Sequence, residues 1–324
     1  MAGPRACAIL DHRAYPTAEN RAIVILAARP RAVCFGNDIV HPSWIKADLM
    51  TTRLQRSACL YVFSGLTALG WSTCLPAASA EAVEASDAPW AALQRTYFPG
   101  KQLEQASFIH LTAPARAASG DQVPFAFSID HPMTAKQYIK SVTLFVDANP
   151  VPLTAVFRFR PDSGKAEVAT RIRFESDSPV HVVAESNDGR LYVNTVTVKA
   201  SGGCGGTTPG DNAQALAEAG KMKIALDGPF RRGELNKARL LIRHPMYTGL
   251  QRDLATHGFR PAFFIDKIDI TYDGKPVMTA DTSIGISENP SIQFGFVPSR
   301  AGTLQVLIRD SQGASFRQSI DVGG

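Results

Sequence analysis

Phe127-Ser-Ile-Asp-His131-Pro132-Met133 returns in the second half of the chain as Leu240-Leu-Ile-Arg-His244-Pro245-Met246. Each stretch reads as a strand that ends at His-Pro-Met, and the echo continues outward from both copies. Asn149-Pro150-Val151 is matched by Lys275-Pro276-Val277, after an insertion of roughly a dozen residues around Gly249 to Pro261. Asn187-Asp188-Gly189 is matched by Ser311-Gln312-Gly313, and Thr195-Val196-Thr197-Val198 by Ser319-Ile320-Asp321-Val322. An internal repeat of about 110 to 125 residues predicts two related domains.

Within the first copy the apolar residues recur with period two. Ser107 to Thr112, Val123 to Ile129, Ile139 to Val146, Val156 to Phe159, Ala166 to Phe174, Val180 to Ala184 and Leu191 to Val198 each alternate Val, Ile, Phe or Tyr with polar residues. Asp162-Ser163-Gly164 and Asn187-Asp188-Gly189 supply turns between them. Seven short strands in about 95 residues predict an immunoglobulin-type antiparallel sandwich. The fold class is therefore all-β: two immunoglobulin-like sandwiches joined by a glycine-rich arm and a short linker. Before them, Trp90, Leu93, Tyr97 and Phe98 fall at helical spacing after Ser86 or Asp87, which predicts a lead-in helix over Asp87 to Phe98. Ala213 to Gly220 reads as a helical turn or linker.

The arm is Ser201-Gly202-Gly203-Cys204-Gly205-Gly206. Gly202, Gly203, Gly205 and Gly206 lack Cβ atoms and adopt φ of either sign, so they predict a flexible strap from which the Cys204 thiol projects. The chain has five cysteines, and the other four, Cys7, Cys34, Cys59 and Cys74, precede a secretory cleavage pattern. From Met50, basic Arg53 and Arg56 lead into an apolar run from Ala58 to about Trp71, followed by Ala78-Ser79-Ala80 before Glu81. Residues 50–80 thus read as a Sec-type signal peptide cleaved near Ala80, and residues 1–49 as an over-extended start. The predicted location is the periplasm, and no later stretch reaches the ~20 apolar residues of a membrane span.

Residues 81–324 carry 26 Lys and Arg against 25 Asp and Glu, so the formal +5 belongs mostly to the removable part. No basic stripe interleaved with aromatics argues for nucleic acid. Cys204 has no Lys, Arg or His beside it in sequence, which predicts a thiol pKa near the ordinary ~8.5 and a passive handle rather than a self-activated nucleophile. No resolving cysteine remains for a redox enzyme. His131 and His244 read as strand-end turns with a hydrogen-bonded imidazole, not as a metal site. Arg158, Arg160, Arg171 and Arg173 alternate along two strands and predict one shared solvated face, with an acidic docking partner as the functional alternative.

From about Trp90 onward the chain resembles a known family. The stretch Phe159-Arg-Pro-Asp-Ser-Gly-Lys-Ala-Glu-Val-Ala-Thr-Arg-Ile-Arg173 and the closing Gly-Gly-Cys-Gly-Gly resemble SoxY. Ile242-Arg-His-Pro-Met-Tyr-Thr-Gly249, Pro261-Ala-Phe-Phe-Ile265 and Tyr272-Asp-Gly-Lys-Pro-Val277 resemble SoxZ. Together they are similar to the fused SoxYZ-like carriers associated with quinoprotein dehydrogenases. The resemblance implies a SoxY-like sandwich over 87–200, an arm and linker over 201–219 and a SoxZ-like sandwich over 220–324, the two packed on each other. It implies a non-enzymatic carrier with no bound cofactor or metal, holding a covalent sulfur adduct on Cys204 and presenting it to periplasmic sulfur-oxidation enzymes or a quinoprotein dehydrogenase system. An immunoglobulin-like adaptor or assembly factor for such a dehydrogenase, without covalent cargo, is the competing reading. In SoxY the cysteine motif ends the chain, whereas here 118 residues follow Gly206. From Lys199 an extended arm reaches Cys204 over roughly 17 Å, and the return path limits it further.

Overall fold

Along Val123–Ile129 the side chains of Val123, Phe125, Phe127 and Ile129 are all buried, while Pro124 is exposed and Ala126 and Ser128 half-buried between them. A period of two puts alternate residues on opposite faces of a strand, so this stretch covers a core with one face. The same logic builds nearly the whole fold. The computed structural model describes residues 88–208 and 213–323. The signal peptide, the start-site reading and the other four cysteines lie outside those residues.

The first half runs α1 (Ala88–Tyr97), β1 (Leu103–Gln105), β2 (Ile109–Thr112), β3 (Val123–Ile129), β4 (Ile139–Val146), β5 (Leu153–Phe159), β6 (Ala166–Ile172), β7 (Ser178–Ser186) and β8 (Leu191–Val198). Every strand read from the alternation is present, and so is the lead-in helix. After the arm come β9 (Thr207–Thr208), α2 (Ala213–Glu218), β10 (Met222–Leu226), β11 (Asn236–Ile242) and β12 (Arg252–Asp253). The second half closes with β13 (Ile265–Tyr272), β14 (Lys275–Thr282), β15 (Ser291–Phe296), β16 (Gly302–Asp310) and β17 (Ser315–Val322).

The all-β sandwich class holds, and the halves share both of its sheets. One sheet has the order β1-β8-β7-β4-β5-β14-β13-β16-β17, and the other β10-β11-β15-β6-β3-β2. In each sheet the central pair joins a strand to its own counterpart in the repeat. β5 pairs antiparallel with β14, placing Phe157 opposite Ala280, and β6 pairs with β15, placing Val168 opposite Phe294. The halves therefore meet around an approximate twofold relation, each covering the sheet edges that the other would leave open. A lone edge strand exposes unpaired backbone groups, so this mutual pairing removes two liabilities at once.

Buried side chains confirm the continuity. A single core cluster runs from Ile109 and Phe125 in the first half to Phe294 and Ile308 in the second. Ser163 donates to the Val277 carbonyl at 2.7 Å and Ser283 to the Leu153 carbonyl at 2.7 Å, both across the seam. The Arg158–Asp281 ion pair at 2.6 Å also crosses it, but both side chains are about half exposed, so it contributes little. Helix α1 covers the outer face of the nine-stranded sheet, where Trp90, Leu93 and Phe98 pack against Phe145, Val183 and Leu191.

A shared core cannot melt by halves. Denaturant unfolding should give one transition, with far-UV circular dichroism and Trp90 fluorescence superimposing. Two separated transitions would show that the halves fold as independent units.

Candidate functional site

Cys204 is 1 % exposed, so the expectation of a thiol projecting from a mobile strap is corrected. The reason lies in what the glycines do. Gly203 donates to the Phe174 carbonyl at 2.9 Å, Gly202 to the Glu175 carbonyl at 3.0 Å, and Gly120 to the Ser201 carbonyl at 2.9 Å. A Cβ on Gly203 would overlap the Gly120 carbonyl, and one on Gly120 would overlap the Phe174 carbonyl. These glycines permit backbones to touch rather than to swing. Gly202 and Gly206 take φ of +74° and +100°, turning the chain in and out of the contact. Gly205 has only the Glu175 carboxylate near its missing Cβ, at 3.7 Å.

Three side chains then close on the arm. Arg173, immediately after β6, is 2 % exposed and donates to three carbonyls: Nη1 to Gly203 at 3.0 Å, Nη2 to Met246 at 3.1 Å and Nε to Ile286 at 3.3 Å. Glu175 Oε2 accepts the backbone N–H groups of Cys204 at 2.9 Å and Gly205 at 3.2 Å. From the second half, Thr248 Oγ1 donates to the Cys204 carbonyl at 2.7 Å. Beyond Cys204 the strap enters a short ladder, with Arg252 donating to the Gly206 carbonyl at 2.9 Å and β9 lying parallel to β12. The insertion around Gly249 to Pro261, which the first half lacks, supplies that ladder partner.

Every one of these bonds holds backbone. The Cys204 sulfur has no hydrogen-bond partner among the described residues, so nothing in the clasp depends on its being cysteine. Burial pushes the thiol pKa up to about 11, Glu175 reinforcing the shift and Arg173 opposing it. The ordinary value read from the neighbouring sequence is therefore corrected, because the relevant neighbours are distant in the chain. While clasped, the sulfur is a protonated, unreactive thiol at neutral pH.

The histidines separate as well. His131 is partly exposed, its Nδ1 2.9 Å from the Pro132 carbonyl. His244 is 1 % exposed, accepts the Met246 N–H at Nδ1 and lies 4.3 Å from the Phe263 ring. Burial pulls its pKa down to about 4, against the opposing pull of Asp310, so it stands neutral at neutral pH. Its Nε2 has no partner among the described residues. Met246 follows in left-handed conformation, φ +47°, strain that persists because Arg173 and the Ile265 N–H hold its carbonyl and sulfur. Among the described residues no three His, Cys, Asp or Glu group into a metal-binding set.

The four arginines do not share one face. Arg158 and Arg160 are exposed on the nine-stranded sheet, while Arg171 is half-buried and Arg173 buried on the six-stranded sheet. β5 and β6 belong to different sheets, and Arg173, just past the end of β6, turns in to the Gly203 carbonyl instead of following Arg171 outward. Sequence reasoning missed Gly120, Arg173, Glu175 and Thr248 as site residues. The last three stand in or beside the quoted family stretches, yet their spacing from Cys204 carries no local signal.

Removing the Glu175 carboxylate should free two N–H groups and one source of the raised pKa. Iodoacetamide should label Cys204 at pH 8 about two orders of magnitude slower than an ordinary free thiol, and Glu175→Ala should recover about tenfold of that. Labelling at the free-thiol rate in the unaltered chain would show that the clasp does not shelter the sulfur.

Comparisons with known proteins agree with the division into halves. The family model of the sulfur oxidation protein SoxY matches residues 94–204, ending on Cys204, and that of the sulphur oxidation protein SoxZ matches residues 227–321. Among solved structures, the sulfur carrier protein SoxY from Chlorobium limicola f thiosulfatophilum is similar at 25% identity, covering 35% of this chain and 92% of that one, with a TM-score of 0.31. A superoxide reductase (neelaredoxin) from Ignicoccus hospitalis is similar at 18% identity over 29% of this chain and 79% of that one, with a TM-score of 0.27. A search of curated protein sequences finds no match. With one family model closing on the buried thiol and the other covering the half that supplies Thr248, the chain is a SoxY domain followed by a SoxZ domain in one polypeptide, and it belongs to the SoxYZ-like sulfur-oxidation carrier proteins, which are not enzymes.

Proposed function

We propose that the chain carries a sulfur-type cargo on Cys204 in the periplasm, keeping the thiol shut under the clasp and offering it when a partner enzyme opens the arm. The observation that carries this reading is that Arg173, Glu175 and Thr248 grip only the backbone of residues 203 to 205. A structural cysteine would earn its place through its side chain. Here serine or alanine could be held by the same bonds, so the sulfur is present for chemistry rather than for the fold.

The clasp also suits a traveller between enzymes. Each of its bonds contributes about 0.5 to 1.5 kcal/mol, more where Arg173 or Glu175 supplies charge, so a partner can displace the set by providing equivalent contacts. Once out of the clasp, the thiol loses the burial that raises its pKa and can ionise. Joining the thiolate to a sulfur anion forms one S–S bond and releases two electrons, which the loading enzyme must accept. Tethering at both ends restricts the arm to shallow delivery. Such enzymes would be of the sulfur-oxidation type or part of a quinoprotein dehydrogenase system, reached after Sec export and cleavage near Ala80.

Intact mass of the protein isolated from the exporting cell should show adducts on Cys204 in sulfur-sized increments, removed by thiol reductant. Cys204→Ser should lose the adducts and the function, at a stability cost of about 1 to 3 kcal/mol for its unpartnered buried hydroxyl, and Cys204→Ala should lose both as well. A bare thiol, with function surviving Cys204→Ser, would favour the adaptor reading instead.

A further inference from the structure

A cleft of about 430 Å³ opens on the outer face of the six-stranded sheet. Arg171 from β6, Lys221 and Lys223 at β10 and Arg243 after β11 converge on it around Leu241, which is 42% exposed. Four cations share one depression, and among the described residues Lys221 alone of them has an acid within ion-pair distance. Lys221 has Glu218 at 4.0 Å, and Arg171 bonds to the Gln122 amide oxygen and the Asn289 carbonyl. Lys223 and Arg243 have no ion-pair partner among the described residues. Glu288, next to Asn289 in the chain, is exposed.

A second observation gives this cleft a direction. β10 is the last strand of its sheet and hydrogen-bonds to β11 alone, with β17 of the other sheet lying near its far side. Arg243 donates to the Lys221 carbonyl and Asp227 to the Lys237 carbonyl, so the Lys221 carbonyl and the backbone groups of residues 223, 225 and 227 turn toward β11. By alternation the N–H and C=O groups of Met222, Ile224 and Leu226 face outward. Lysines on an edge strand can simply discourage sheet-to-sheet aggregation. That does not explain why Arg171 and Arg243 reach in from other positions around an exposed leucine.

We propose that this cleft and the β10 edge form the docking surface for an extended acidic segment, with at least one apolar side chain, of the enzyme that exchanges cargo with Cys204. The segment adds as a strand to β10, its carboxylates meet Lys223 and Arg243, and its apolar side chain covers Leu241. Arg171 lies two residues before Arg173, and Arg243 three before Met246, so both arginines adjoin the residues that secure the arm. A partner seated here is placed to compete for those contacts. The inference rests on the carrier reading for the identity of the partner, not for the existence of the surface.

The test titrates the isotopically labelled full chain with acetyl-(Glu-Val)4-amide, and separately with acetyl-(Lys-Val)4-amide. The acidic peptide should shift the amide resonances of Met222, Ile224, Leu226 and Leu241, and should bind about tenfold more weakly when salt is raised from low to several hundred millimolar. K223E/R243E should weaken it by at least about tenfold with an unchanged melting temperature. Equal binding of the basic peptide, shifts confined to the Arg158–Arg160 face, unchanged affinity in the double variant, or capture by phosphatidylglycerol vesicles without peptide binding would each overturn the proposal. Labelling of Cys204 by a small methanethiosulfonate is the separate readout. A double variant that labels normally but loses its cellular adducts supports docking. Adducts retained at the normal level in K223E/R243E would refute it while leaving the carrier reading intact.

Discussion

A guanidinium buried to 2 % exposure and bonded to three carbonyls is the constraint around which the functional end is arranged. Taking a cation out of water costs several kcal/mol, and Arg173 offsets that cost only while Gly203, Met246 and Ile286 all present oxygens to it. Those residues come from the arm, the His-Pro-Met loop of the second half and the connection after β14. Desolvation holds the Arg173 pKa below its ordinary range, with Cys204, Glu288 and Asp121 pulling it back. If any of the three segments withdraws, the charge loses part of its solvation, so the arm, the left-handed Met246 and the seam are energetically linked.

This linkage depends in turn on the pairing of repeated strands. β5 with β14 and β6 with β15 place the end of β6 against the second half, with Ile172 bridged to Ile286 and the Arg173 N–H bonded to the Gly285 carbonyl. Two sandwiches merely tethered by a linker could drift apart and open the clasp. Because they share sheets and core, the proposed opening is confined to the strap itself, which has small residues and backbone bonds that a partner could replace.

The sequence made the fold legible because alternation is a local signal, clearest in Val123–Ile129, Ala166–Ile172 and Asn236–Ile242. The His-Pro-Met echo showed the duplication. Edge pairing between repeats was not legible, since nothing in Val156 or Phe157 distinguishes a strand that meets solvent from one that meets its own copy. At the site, Cys204 was legible through its four glycines, but their meaning was ambiguous. Glycine confers freedom in a loose chain and close approach in a packed one, and only Gly120 and the Phe174 carbonyl decide between them. Arg173 looked like one of four surface arginines for the same reason, its burial being set by segments 30 to 113 residues away.

In the proposed carrier, a sheltered thiol and a delivering arm are two states of one strap, related by a reversible opening. The most direct measurement is the rate of Cys204 alkylation as reagent concentration is raised. Gated opening predicts that the rate climbs and then reaches a plateau set by the arm alone, a plateau that rises when Thr248 is replaced by valine. A rate that stays proportional to reagent at the pace of an unhindered thiol would contradict the account, and so would a sulfur that never reacts until the whole chain unfolds.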